Sequence, residues 1–201
     1  MNPLNSIKGT LITGLLLAVI AAVLIHMGFG PINWLTMLRW LHILAGITWI
    51  GLLYYFNFVQ TPAMAAAGAD KGGPGGAGIS KYVAPLALLW FRWSALVTWL
   101  AGVGYLGYRH SMGAFALGLT STPVDIYELT IGVGAWLGTI MLFNVWVLIW
   151  PNQKKLLGIV SATDEQKAKA RKVAFLASRT NVMLSIPMLM CMVSASHGLP
   201  F

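Results

Sequence analysis

Five apolar runs punctuate this sequence, at about residues 10–29, 34–60, 82–108, 126–150 and 173–197, each long enough to cross about 30 Å of hydrocarbon as a helix. Inside a bilayer the backbone must satisfy its own hydrogen bonds, so runs of this kind commit a chain to helices. The reading is an all-α integral membrane protein, one transmembrane domain over residues 1–201 with about five spans. Composition agrees, with 58% hydrophobic and only 9% charged residues, where a soluble domain carries roughly a quarter. The first run follows Lys8 and has the look of a signal peptide. It continues without charge from Gly9 to Leu38, however, longer than such a peptide's apolar region, so it is read as a span. A single cysteine, Cys191, excludes an internal disulfide and any multi-cysteine zinc or iron–sulfur site.

The net charge of +8 does not point to nucleic acid, because the basic residues sit between the apolar runs. With five spans, Lys8, Lys71, Lys81, Lys154, Lys155, Lys167, Lys169, Arg171 and Lys172 share one side, and only Arg39 and Arg109 face the other. The positive-inside rule then predicts a cytoplasmic N-terminus and a periplasmic C-terminus, in the bacterial inner (cytoplasmic) membrane. The segment "AAAGADKGGPGGAGISK" between spans two and three reads as a flexible glycine-rich loop. "SATDEQKAKARK" reads as a capped helix start lying on the surface, with Ser161 or Thr163 ahead of Asp164 and Glu165.

This topology places His26, His42, His110 and His197 toward the outer leaflet, together with Asp125 and Glu128. Titratable groups in a span propose a function. His42 stands out, deeper than the interface, with Ala45 and Gly46 on its own face leaving a slot for a flat ring. The competing reading is close helix packing through those small residues, with His42 bonded to a backbone carbonyl. A b-type haem fits the pieces: His42 as axial ligand, His197 as its partner, and Arg39 one turn away to meet propionates. Copper is the alternative, since Met27, Met37, Met112 and Met192 lie toward the same face.

Deeper, toward the inner side, Arg92 and Arg179 each sit within a span. They either snorkel to the interface or bind an anionic ligand, with Asn57, Asn144 and Asn181 completing a polar cluster. Pro187 predicts a kink in the fifth span.

Four segments, "RWLHILAGITWIGLLYYFNF", "LLWFRWSALVTWLAGVGYL", "GAWLGTIMLFNVWVLIWPNQKK" and "SRTNVMLSIPMLMCMVSASHGLP", resemble in this order the membrane domain of the bacterial urate hydroxylase family, the urate oxidase N-terminal domain. The resemblance covers about residues 34–200. "HxxxGITWIG" alone is less specific, being similar to membrane protoporphyrinogen oxidases and copper-resistance membrane proteins. His42, Gly46, Trp49 and Gly51 match the first motif, and Arg92, Trp93 and Trp99 the second. Asn144, Pro151, Asn152 and Gln153 match the third; Arg179, Asn181 and Pro187 match the fourth, with His197 near a terminal histidine. The resemblance implies an integral membrane oxidase that often hands electrons to a fused cytochrome c. Here Thr180 stands where the family pattern leads one to expect a histidine, and there is no CxxCH, so the carrier is expected to be a separate protein.

Two functions follow as expectations. One is a haem-dependent oxidoreductase passing electrons to a separate periplasmic carrier. The other is a non-catalytic accessory subunit of a larger membrane complex, for which the short loops and nine tryptophans speak. A transporter fits less well, because the sequence shows no inverted repeat and no charged midplane pair.

Overall fold

The computed structural model describes residues 2–28, 30–110 and 113–200, with His110 described by its backbone alone. Among the described residues five helices are long and apolar enough to cross a membrane: α1 (Ile7–His26), α2 (Trp34–Ala69), α3 (Ile79–Arg109), α4 (Ile126–Leu156) and α5 (Asp164–His197). No strand occurs among the described residues. The all-α expectation and the five runs hold, but their boundaries move. Helix α2 continues to Ala69 and α3 begins at Ile79, so the expected flexible stretch shrinks to residues 70–78. Helix α5 starts at Asp164, capped by Thr163 and Gln166 in a reciprocal pair, and runs through Pro187 to His197 without a break. The basic segment is therefore the first turns of the last helix. At 34 residues α5 reaches roughly 51 Å, well beyond the hydrocarbon thickness.

The chain divides into two compact units, Met1–Trp34 and Leu35–Phe201. In the first, Ser6 caps α1 by accepting from the Gly9 amide at 3.0 Å. The helix ends on Met27 in the left-handed conformation (φ 57°), with the Gly28 amide donating back to Val23 at 2.9 Å. No residue of α1 is buried. A helix that is apolar all round and covered by nothing in its own unit is suited to lipid.

The second unit is built on α5. Its most extensive partner is α4, and small residues explain how closely they approach. A Cβ at Gly134 would stand 3.2 Å from Cys191 Cβ and 3.4 Å from the Met188 carbonyl. Trp49, Leu53, Phe91, Met141, Val145 and Met188 form the larger core where α2, α3, α4 and α5 meet. A smaller one gathers Leu106, Ala114, Ile131 and Ala135.

Three of the long helices widen into π turns, Tyr55–Gln60 in α2 and Asn144–Ile149 in α4 within the helix, and Ile79–Val83 at the start of α3. Each turn ends just ahead of a proline, Pro62, Pro151 or Pro85. A proline cannot donate to the carbonyl four residues back, and its ring crowds that carbonyl. The wider turn relieves this: the Thr61 amide reaches Phe56 and the Trp150 amide reaches Val145, five residues back in both cases.

The two π turns within α2 and α4 each carry a buried asparagine that points at α5. Asn57 Nδ2 donates to Ser178 Oγ at 2.7 Å and to the Leu53 carbonyl at 2.8 Å. Asn144 Nδ2 donates to Asn181 Oδ1 at 2.8 Å, and Asn181 Nδ2 to the Met141 carbonyl at 3.0 Å. Ser185 Oγ donates to the Val182 carbonyl at 2.7 Å, so the Tyr54 hydroxyl, 2.9 Å away, is the donor to Ser185. Ser178, Asn181 and Ser185 thus lie on one stripe of α5 and tie it to α2 and α4.

Candidate functional site

Helices α2 and α3 cross antiparallel through small residues at one end of the second unit. Leu38 faces Gly104, His42 faces Gly102, and Gly46 faces Thr98. His42 Nδ1 lies 2.8 Å from the Thr98 carbonyl oxygen. A carbonyl only accepts, so Nδ1 carries the proton and donates. Neutral imidazole then has its lone pair on Nε2, and Nε2 makes no hydrogen bond among the described residues. The ring is firmly seated: a Cβ at Gly102 would come within 2.9 Å of Nδ1 and 3.0 Å of Cε1. Thr98 is itself tied down, its hydroxyl donating to the Ser94 carbonyl at 2.7 Å.

One turn toward the helix end, four helices contribute to a polar layer. Arg39 of α2 donates to the Tyr105 hydroxyl of α3 and lies over its ring, 4.9 Å from the centroid. Tyr105 lies beside Tyr127 of α4, which interacts in turn with Ser196 of α5. His197, next to Ser196, is exposed at the close of α5. The layer places His42 and His197 at the same end of the unit. It leaves them in different settings, one ring wedged between helices and one at the surface.

The other candidates are dispersed. His26 belongs to the first unit, where its ring lies against Gly30. The His110 side chain and Met112 lie outside the described residues. Asp125 caps α4, accepting from the Glu128 amide at 3.0 Å. Of the methionines offered to copper, Met27 and Met37 are exposed and Met192 packs against the core. Among the described residues no three His, Cys, Asp or Glu side chains converge as a metal site. Beside Gly46 the space is taken by Thr98, whose Cγ2 would meet an added Cβ at 3.6 Å. The slot expected for a flat ring is at that point filled by α3, and the open coordination direction is that of Nε2.

Toward the opposite end, Arg92, Arg179 and Asn181 each have different surroundings. The Arg92 guanidinium stacks on Trp150, 3.8 Å from the ring centroid. Arg179 is exposed, over Phe175 at 5.3 Å. Asn181 is fully buried in the seam with Asn144. The indole nitrogens of Trp49 and Trp146 are buried without a partner.

Residues 31–130 and 127–201 match the urate oxidase N-terminal family. The chain belongs to the urate oxidase N-terminal family. Neither a curated protein nor a solved structure matches it. The family match takes in the whole second unit, including every residue of the polar layer, the His42 seat and the asparagine seam. Sequence reasoning had missed Thr98, Gly102, Tyr105, Tyr127 and Ser196 as companions of this family's first-motif histidine. The glycine pair Gly102 and Gly104 was the available signal, marking where another helix approaches.

Proposed function

We propose that this member of the urate oxidase N-terminal family is the membrane-embedded part of an oxidoreductase, carrying a b-type haem on His42 and delivering electrons to a separate cytochrome c-like carrier. The observation that carries the reading is the His42 seat. A metal-binding histidine usually donates its second ring N–H to a carbonyl, which fixes the tautomer and aims the other nitrogen. Thr98 provides that carbonyl and Gly102 holds the ring in place. His42 Nε2 would then hold the haem iron, with His197 as the other residue to bind it, and Arg39 in the neighbouring layer would offset propionate charge. A bound haem contributes one-electron storage; the chain's own residues orient the imidazole and hold the interfacial cation in place. The proposed membrane is the bacterial inner one, with the N-terminus cytoplasmic and the histidine end periplasmic, where a soluble carrier reaches it.

The spectrum of the purified protein, expressed with ample haem and reduced with dithionite, tests this. A Soret band is expected, lost in His42→Ala and converted to a five-coordinate form in His197→Ala. A colourless wild type would end the haem reading and leave copper to be assayed by metal analysis. Sidedness is checked separately. Ser161→Cys and Leu199→Cys should react with an impermeant thiol reagent from opposite faces, and labelling of Ser161→Cys from outside would reverse the orientation.

A second reading has its own support. The tight fit of His42 against Gly102, and of Gly46 against Thr98, also suits a histidine that only joins two helices in an accessory subunit. In that case His42→Ala destabilises the protein, and wild type and variant alike lack a Soret band.

A further inference from the structure

The α3–α4 surface carries a feature independent of the histidine end. A groove of about 440 Å³ runs between these helices, lined by Leu96, Trp99, Thr139, Leu142, Phe143 and Trp146. On α3, Leu96 and Trp99 lie one and two turns along from Arg92, on the same face. On α4, Trp146 stands four residues before Trp150, and its ring meets Trp93 edge-on at 5.4 Å. At this end of the groove two cations share one aromatic ring: Arg92 lies 3.8 Å and Lys154 5.9 Å from the Trp150 centroid. Neither has a carboxylate partner among the described residues.

We propose that the groove binds an anionic phospholipid, its phosphate at Arg92 and Lys154 and one acyl chain along the α3–α4 channel. The charge argument favours this occupant over a zwitterionic lipid. Two half-buried cations with no internal counter-charge need an anion, and basic pockets between membrane helices bind acidic headgroups. Length agrees as well. From Trp150 back to Thr139 is a rise of roughly 16 Å, close to one leaflet's share of the hydrocarbon. The aromatic walls supply flat contact for the chain. The polar group at the far end, Thr139, is already occupied by Trp99 Nε1 at 2.9 Å and by the Ala135 carbonyl at 2.8 Å, leaving an apolar channel.

The test is native mass spectrometry of the full chain in detergent, titrated with phosphatidylglycerol or phosphatidylcholine of matched acyl chains. Each interfacial cation is expected to contribute about fivefold, so wild type should prefer phosphatidylglycerol by about 25-fold. Arg92→Gln and Lys154→Gln should each remove about fivefold, and the double variant should hold the two lipids equally. Leu142→Trp, which fills the groove, should weaken both lipids. Inorganic phosphate should fail to displace phosphatidylglycerol, because it has no chain to place in the channel. Equal retention of the two lipids by wild type would overturn the proposal. So would a preference that survives the double variant, unchanged binding in Leu142→Trp, or displacement by inorganic phosphate. Thermal unfolding in phosphatidylcholine checks that the variants fold. If Arg92→Gln does not, half-buried Lys154→Gln on the short segment after the π turn carries the test by itself.

Discussion

The two ends of the second unit differ in what their polar groups are bonded to. At the histidine end exposed Arg39 adds to its contact with the Tyr105 ring a hydrogen bond to that hydroxyl, in a layer to which α2, α3, α4 and α5 each contribute a side chain, and His42 just beneath it is bonded to backbone. At the other end Arg92, Lys154 and Arg179 rest on aromatic faces at the surface. Between them the asparagine and serine stripe of α5 satisfies its own hydrogen bonds. The difference reflects where the complement comes from. Groups turned inward must find donors and acceptors in neighbouring helices, because lipid offers none. Groups turned outward near a helix end can wait for headgroups or water.

The sharpest way to break this contrast is at Gly102. A Cβ there leaves the His42 ring too little room, so Gly102→Ala should force the imidazole off the Thr98 carbonyl and cost about 1–3 kcal/mol. Gly46→Ala, with ordinary contact at 3.6 Å, is the matched control and should stay within about 0.5 kcal/mol. Thermal unfolding of the pair checks this. Equal midpoints would show that the seat is loose and that nothing pre-aims Nε2.

Asn181→Leu tests the seam. It leaves Asn144 Nδ2 and the Met141 carbonyl without their partner, at a cost of about 1–2 kcal/mol. Adding Asn144→Leu removes the orphaned donor as well and should recover part of the loss. A double variant less stable than the sum of the single ones would mean that the asparagines act through shape and not through their hydrogen bonds.

The smallest effect separates the two surface arginines. Arg92→Lys gives up a flat guanidinium stacked at 3.8 Å on Trp150 and should cost about 0.5–1 kcal/mol. Arg179→Lys is exposed, over a more distant Phe175, and should be silent within error. Denaturation in one detergent, with the two variants side by side, gives the comparison. Identical losses would put both arginines in the same kind of site.

Much of the fold was legible one residue at a time. Apolar length needs no tertiary information, because the hydrocarbon core sets it, and Thr163 ahead of Asp164 and Glu165 announced a helix start locally, though not that it runs on unbroken into the last span. That Asn57, Asn144 and Asn181 need polar partners was also visible, since amides within apolar runs must find them; that those partners are Ser178, one another and backbone, and not Arg92 and Arg179, was not. Nor was helical phase. Each π turn adds a residue to its turn and rotates everything beyond it by about 100°, which decides where Trp150 and Lys154 point relative to Arg92. The proline after each turn was in view, but whether a helix answers proline by kinking or by widening depends on what packs around it. The same holds for His42. By itself the sequence determined that an imidazole lies within a span beside small residues. Only the crossing of α2 and α3 decided that Thr98 takes its Nδ1 proton and Gly102 holds its ring, because a backbone carbonyl 56 residues away leaves no mark on the local pattern.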